Sequence, residues 1–288
     1  MKEPLFTGTC TALVTPFLDN KINYAMMEQL LQRQIDAGIK AVVIAGTTGE
    51  SPTLSDEEKC DLFRYCKDYV KDHCLIIAGT GSNNTAHSIE LSASAEKCGV
   101  DALLVVSPYY NKATPEGIYL HYLSICSSVS LPVIVYNVPG RTGLDIPVSV
   151  YQRLSQISNI AGVKEASSDI TKIARIRNAC GHNLPIWSGN DDQIVPAMAL
   201  GALGVISVLS NLRPEQTALM CNAALSGDFH TASAQQCQML PLINALFSEV
   251  NPIPVKAALK ELGFDCGDCR LPLCNIGTDT LEKIRKYI

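Results

Sequence analysis

Eight short segments of apolar and β-branched residues recur along the chain. They are "TCTALVTPF" (9–17), "KAVVIAG" (40–46), "CLIIAGTG" (74–81), "DALLVVSPYY" (101–110), "LPVIVYNVP" (131–139), "IAGVKEA" (160–166), "LPIWSGN" (184–190) and "GVISVLSN" (204–211). Several are nearly continuous in apolar residues. That pattern predicts parallel strands with helices over them, because both faces of such a strand are covered.

The stretches between them read as helices with clear punctuation. Asn23 caps a helix that packs through Met27, Leu30, Leu31 and Ile35 and ends at Gly38. Ser55 and Glu58 form a capping box. Thr114-Pro115 supplies a cap followed by proline at the first helical position. Cys98-Gly99 and Cys180-Gly181 mark helix ends. Strand, helix, strand at this spacing predicts right-handed βαβ units. Eight of them predict an α/β fold closed as a (β/α)8 barrel. An open doubly wound sheet competes, but "TPFLDN" after the first strand lacks G-x-G-x-x-G, and "GTGSNN" (79–84) offers only G-x-G. The last quarter reads as helices over 214–226, 229–248, 254–262 and 279–287. The expected division is a catalytic barrel over 1–213 and a C-terminal helical region over 214–288.

In such a barrel the chemistry sits where strands end. Those ends are polar here: Gly46-Thr47-Thr48-Gly49-Glu50-Ser51, Pro108-Tyr109-Tyr110-Asn111, Tyr136-Asn137-Val138-Pro139-Gly140-Arg141 and Ser188-Gly189-Asn190-Asp191-Asp192. The sixth segment carries Lys164 inside an apolar run. Burial there lowers a lysine's pKa, and a neutral amine attacks a ketone or aldehyde to give a Schiff base. The competing reading is a lysine that snorkels to solvent. Glu165 is a poor partner for it, since adjacent strand residues face opposite sides. Tyr136, if it faces inward, can shuttle protons; otherwise it is an amphipathic strand tyrosine. Thr47 and Thr48 offer hydroxyls and N–H groups for a carboxylate or a relay, or serve the turn alone. Arg141 is either a fork for a substrate carboxylate or a surface arginine.

Composition narrows the field. The 288 residues are 47% apolar and 18% charged, which fits a soluble globular protein. A net charge of −5 argues against nucleic acid or an anionic membrane as partner. The N-terminus makes a poor signal peptide and no apolar run is long enough to span a bilayer, so a cytoplasmic protein is expected. The five histidines show no metal-ligand spacing, and G-x-S-x-G and P-loop motifs are absent. The twelve cysteines read mainly as buried, reduced thiols. Cys266-Gly-Asp-Cys269, with Cys274 nearby, is one pair and weak evidence for zinc.

"GTTGES", "SPYYNK", "YNVPGRTG", "GVKEAS" and "NPIPVKAALKELG", in this order across nearly the whole chain, resemble the dihydrodipicolinate synthase family of class I pyruvate aldolases. Sister aldolases acting on sugar acids, of the N-acetylneuraminate lyase kind, share the lysine and the tyrosine but are not expected to carry "RTG". Arg141 therefore favours the synthase over that alternative. The resemblance implies a lyase of diaminopimelate and lysine biosynthesis. Lys164 would form an imine with pyruvate, and the enamine would attack L-aspartate 4-semialdehyde. It implies Tyr136, Thr48 and Tyr110 as a proton relay, with Tyr110 entering from a neighbouring subunit of a homotetramer built as a dimer of dimers. Thr47, Thr48 and Ile206 match positions around the pyruvate adduct, Arg141 the semialdehyde carboxylate, and Gly189 and Asn190 a further substrate region, where many relatives carry aspartate in place of Asn190. No metal or organic cofactor is implied. Ser51, Asn83 and Tyr109 match a lysine-inhibition site. His87 stands where sensitive relatives have glutamate, and Lys59 where they have histidine. Weak or absent lysine inhibition is expected.

Overall fold

A computed structural model describes residues 2–288. Eight parallel strands close into a barrel: β1 (Gly8–Ala12), β2 (Ala41–Ile44), β3 (Leu75–Gly79), β4 (Ala102–Val106), β5 (Val133–Asn137), β6 (Ile160–Glu165), β7 (Ile186–Ser188) and β8 (Gly204–Ser207). Each pairs with the next, and β8 returns to β1 with Gly8 opposite Gly204. All eight expected segments are strands of this one barrel. The first is split, since Phe17–Leu18 pairs with Lys21–Ile22 in a small antiparallel ribbon.

Strand residues alternate between two apolar clusters, which is why the segments read as continuously hydrophobic. Val43, Ile77, Leu104, Ile134, Tyr136, Trp187 and Ile206 fill the barrel interior. Val42, Ile76, Leu103, Val135, Val163 and Val205 face outward under the helices. Phe6 closes the interior by stacking on Trp187, with ring centroids 4.7 Å apart.

The outer helices are α1 (Tyr24–Asp36), α2 (Asp56–Val70), α3 (Thr85–Lys97), α4 (Pro115–Ser128), α5 (Pro139–Thr142), α6 (Val148–Leu154), α7 (Thr171–Cys180), α8 (Ile194–Ala199) and α9 (Pro214–Leu225). The caps lie where the sequence puts them. Asn23 accepts from Met26 N, Thr114 from Gly117 N, and Ser55 and Glu58 bond reciprocally. Helix α9 packs on β1 and α8 and so completes the ring of outer helices. That packing supports ending the barrel unit at Leu225, and we propose that division in place of one after residue 213.

Three helices follow: α10 (Phe229–Leu246), α11 (Ile253–Glu261) and α12 (Thr278–Arg285). Helix α11 and the segment after it are tied to the second strand end and α2. Lys256 on α11 meets Glu50 at 2.9 Å, with both side chains buried, and Glu50 also accepts the backbone N–H of Arg270. Arg270 reaches Glu58 at 2.6 Å. All twelve cysteines are free thiols. Burial pushes Cys266 and Cys269 up to about 12. Among the described residues, no helix is long and apolar enough to cross a membrane and no cluster of side chains fits a metal ion.

Candidate active site

Lys164 and Tyr136 occupy matching positions on the neighbouring strands β6 and β5. Both point into the barrel. Lys164 is 5% exposed, and its Nζ lies 4.4 Å from the centre of the Tyr136 ring. The lysine does not snorkel. Alternation along β6 sends Glu165 to the other face, where it accepts from Asn137, from the Tyr151 hydroxyl at 3.0 Å and from Ser167 N. The two charges therefore serve different surroundings, as the two-residue period requires.

The stem of Lys164 runs past Gly189. A methyl on Gly189 would stand 2.9 Å from Lys164 Cε and 2.7 Å from Ala166 Cβ, so glycine makes room for the amine. Ile206 and Trp187 are fully buried in the same interior. Cys10, also inside, has a thiol raised well above its ordinary range, by burial first. Asn190 is half-buried, and its amide donates to Ser167 O at 2.8 Å.

Asp191 is a buried carboxylate next in the chain. Its Oδ2 accepts from Val208 N and Leu209 N at 2.9 and 2.8 Å. Burial pushes its pKa up, while hydrogen bonds and the Lys164 charge oppose the rise. The strand-end signal that singled out its neighbours covers this residue equally, yet nothing in the sequence distinguishes it from Asp192.

The second strand end supplies Thr47 and Thr48. The turn closes through Glu50 N→Thr47 O and Ser51 N→Gly46 O. Its tightness needs Gly49, because a Cβ there would meet Ala45 Cα and Leu13 O at 3.1 and 3.2 Å. Thr48 is buried, and its Oγ1 accepts from Asn251 Nδ2 at 3.0 Å. Thr47 lies on the wall of a cavity of about 620 Å³, together with Tyr136 and Arg141. Arg141, on α5, is exposed and donates through Nη2 to the Asn251 carbonyl at 3.2 Å. Asn251 escaped sequence reasoning, although "NPIPVK" carries it.

Tyr110 is not brought to Lys164 within the protomer. It is 89% exposed with φ +70°, and its backbone N–H bonds Thr142 O beside Arg141. Ser51, Lys59, His87 and Tyr109 line the far wall of the same cavity. Asp56 joins two of them, at 3.3 Å from Lys59 Nζ and 2.7 Å from His87 Nε2. Burial tends to raise the Asp56 carboxyl, but the bonds from His87 and Lys59 outweigh it and hold the pKa below the usual range. Asn83 lies off this wall, and its carbonyl accepts from Asn111.

The arrangement is a buried amine beside a phenol, with hydroxyls and a guanidinium around an open cavity. Known proteins match the chain over nearly its full length. The model of the dihydrodipicolinate synthetase family matches residues 5–288. A 4-hydroxy-tetrahydrodipicolinate synthase of Acetivibrio thermocellus is 45% identical, covering 100% of this chain and 98% of its own. Among solved structures, a chloride-inhibited dihydrodipicolinate synthase of Acinetobacter baumannii, complexed with pyruvate, is 40% identical with a TM-score of 0.96, covering 98% of this chain and 97% of its own. The enzyme of Cyanidioschyzon merolae with lysine bound is 38% identical with a TM-score of 0.96, covering 99% and 98%.

Proposed function

The chain belongs to the dihydrodipicolinate synthetase family, and from that premise we propose how its residues divide the reaction. Its activity is that of a 4-hydroxy-tetrahydrodipicolinate synthase, a Schiff-base-forming lyase of diaminopimelate and lysine biosynthesis. It condenses pyruvate with L-aspartate 4-semialdehyde.

Lys164 is the nucleophile. Its Nζ lone pair adds to the keto carbon of pyruvate, and loss of one water leaves an iminium. The iminium draws electrons, a methyl proton departs, and the resulting enamine carbon bonds to the aldehyde carbon. The substrate's own amino group then attacks the former keto carbon, closes the ring and releases Lys164 as an amine. The observation that carries this reading is the desolvated Lys164 amine facing the Tyr136 ring inside the barrel. The pyruvate complex of the Acinetobacter relative supports it.

Tyr136, Thr48 and Tyr110 move the protons. Thr47, Thr48 and Ile206 surround the pyruvate adduct, Gly189 and Asn190 border a further part of the substrate region, and Arg141 takes the semialdehyde carboxylate with a planar fork. The exposure of Tyr110 supports its service in a neighbouring subunit's site, within a tetramer made of two such dimers. The Lys59 and His87 wall supports weak or absent inhibition by lysine.

Reduction with borohydride in the presence of pyruvate, followed by peptide mass mapping, tests the chemistry. The expected result is a pyruvate-derived adduct on Lys164 and none in Lys164→Ala. An unmodified Lys164 in active enzyme would overturn the reading.

A further inference from the structure

Asn251 comes from beyond the barrel, just ahead of α11, and is 5% exposed. Its side-chain amide donates to Thr48 Oγ1 at 3.0 Å, and its backbone carbonyl accepts from Arg141 Nη2 at 3.2 Å. Its Oδ1 is buried without a hydrogen-bond partner. One residue of the C-terminal region thus touches two groups assigned to the reaction.

We propose that Asn251 is a positioning residue that sets the direction of the Thr48 hydroxyl and anchors Arg141 at the cavity mouth. The inference rests on the reading of Thr48 as a relay hydroxyl. A threonine hydroxyl has one proton to give and two lone pairs. Asn251 Nδ2 has only protons to give, so it occupies one lone pair. One lone pair and one proton remain, which is the combination a relay needs to accept on one side and deliver on the other. Without that donor the hydroxyl is free to turn, and the relay is correctly aligned for only part of the time. An aspartate in its place would offer acceptors only and draw the Thr48 proton toward itself.

The two contacts use different parts of Asn251, which makes them separable. The carbonyl that holds Arg141 survives any side-chain change. Side-chain variants therefore act on proton transfer and leave the carboxylate fork in place. The unpaired Oδ1 adds to this picture. A buried acceptor without a donor is costly to keep, and this one belongs to the same side-chain amide that bonds Thr48.

The test is steady-state kinetics on Asn251→Ala, Asn251→Asp, Thr48→Val and the Thr48→Val/Asn251→Ala double variant, each checked for its melting temperature and for pyruvate trapping. Asn251→Ala is expected to lower kcat by on the order of 10- to 100-fold, with both KM values within about three-fold of wild type. Asn251→Asp, close to isosteric, is expected to lose at least as much and carries the test if the alanine variant unfolds. The double variant should be no slower than Thr48→Val alone. A wild-type kcat in Asn251→Ala, or losses that multiply in the double variant, would overturn the role of Asn251 and leave the relay standing. A wild-type kcat in Thr48→Val would overturn the relay itself and this inference with it.

Discussion

The amine of Lys164 lies 4.4 Å from the centre of the Tyr136 ring, and the two residues are direct partners in the register of adjacent strands. Strand pairing fixes this relationship, so it does not depend on a mobile loop. The ring face attracts a cation, and it therefore favours the iminium over the free amine. The phenol hydroxyl is a separate group with a separate task. Replacing Tyr136 by phenylalanine keeps the ring and removes the proton carrier. Tyr136→Phe should still be trapped on Lys164 by borohydride with pyruvate, while kcat falls by about 100- to 10,000-fold. Loss of trapping, or a kcat within a few-fold of wild type, would show that ring and hydroxyl do not divide the work in this way.

The same register explains what the sequence could reveal. Most strands are apolar on both faces, and a polar residue in the inward phase near a strand end stands out against that background. Lys164 and Tyr136 were legible for this reason, and Glu165 could be set aside by alternation. Asn251 and Thr48 are separated by 203 positions, and Glu50 and Lys256 by 206. No local pattern predicts that such residues meet. A trace was present: Lys256 sits in the apolar run "IPVKAAL", where a buried lysine needs an anion, and the GTTGE turn supplies one. The role of α9 was illegible for a similar reason. A helix that closes a ring and one that leaves it differ in partner, and the partner is strand β1, some two hundred residues earlier in the chain.

Tyr110 gives a prediction about assembly. It stands 89% exposed, and its backbone N–H bonds Thr142 O on α5, the helix that carries Arg141. If it serves a partner's site, Lys164→Ala and Tyr110→Phe should complement each other. In a mixed dimer the Tyr110→Phe protomer keeps its own lysine and receives an intact tyrosine. Dissociating the two variants, mixing them in equal amounts and reassembling them should restore about a quarter of wild-type activity, since half the dimers are mixed and each holds one complete site. Activity no greater than the sum of the two variants would place Tyr110 in its own protomer's chemistry or outside it.

His121 sets a pH dependence of stability distant from the site. Burial between α3 and α4 lowers its pKa to about 4 from an ordinary value of 6.5. Its Nδ1 contacts Thr85 Oγ1 at 3.0 Å, while Nε2 is buried with no partner. The folded form thus resists protonation that the unfolded chain accepts. Between pH 6.5 and 4 the unfolded state binds more protons, so stability is complete above that window and falls as pH drops through it. The span corresponds to roughly 3 kcal/mol at most. Urea unfolding of wild type and His121→Leu at intervals from pH 7 to pH 4 is the check. The variant should lose distinctly less stability over the window, and parallel curves would remove His121 as the cause.

The cavity wall formed by Lys59, Asp56 and His87 bears on lysine as an inhibitor. Lys59 is 6% exposed and shares the carboxylate of Asp56 with His87, so the wall's single anion is already engaged by two basic groups. A free lysine adds an ammonium that needs an unengaged anion, and it meets a fixed cation in its place. Asp56 offsets part of the Lys59 charge, but its carboxylate is already engaged at 3.3 and 2.7 Å, so no free anion is left to hold the incoming ammonium. Wild-type activity should therefore survive millimolar lysine. Lys59→His with His87→Glu removes the fixed cation and adds an anion, and that double variant should become lysine-sensitive while its kcat without lysine stays near wild type. Half-inhibition of the wild type by submillimolar lysine in a steady-state assay would show that charge at this wall does not govern the response.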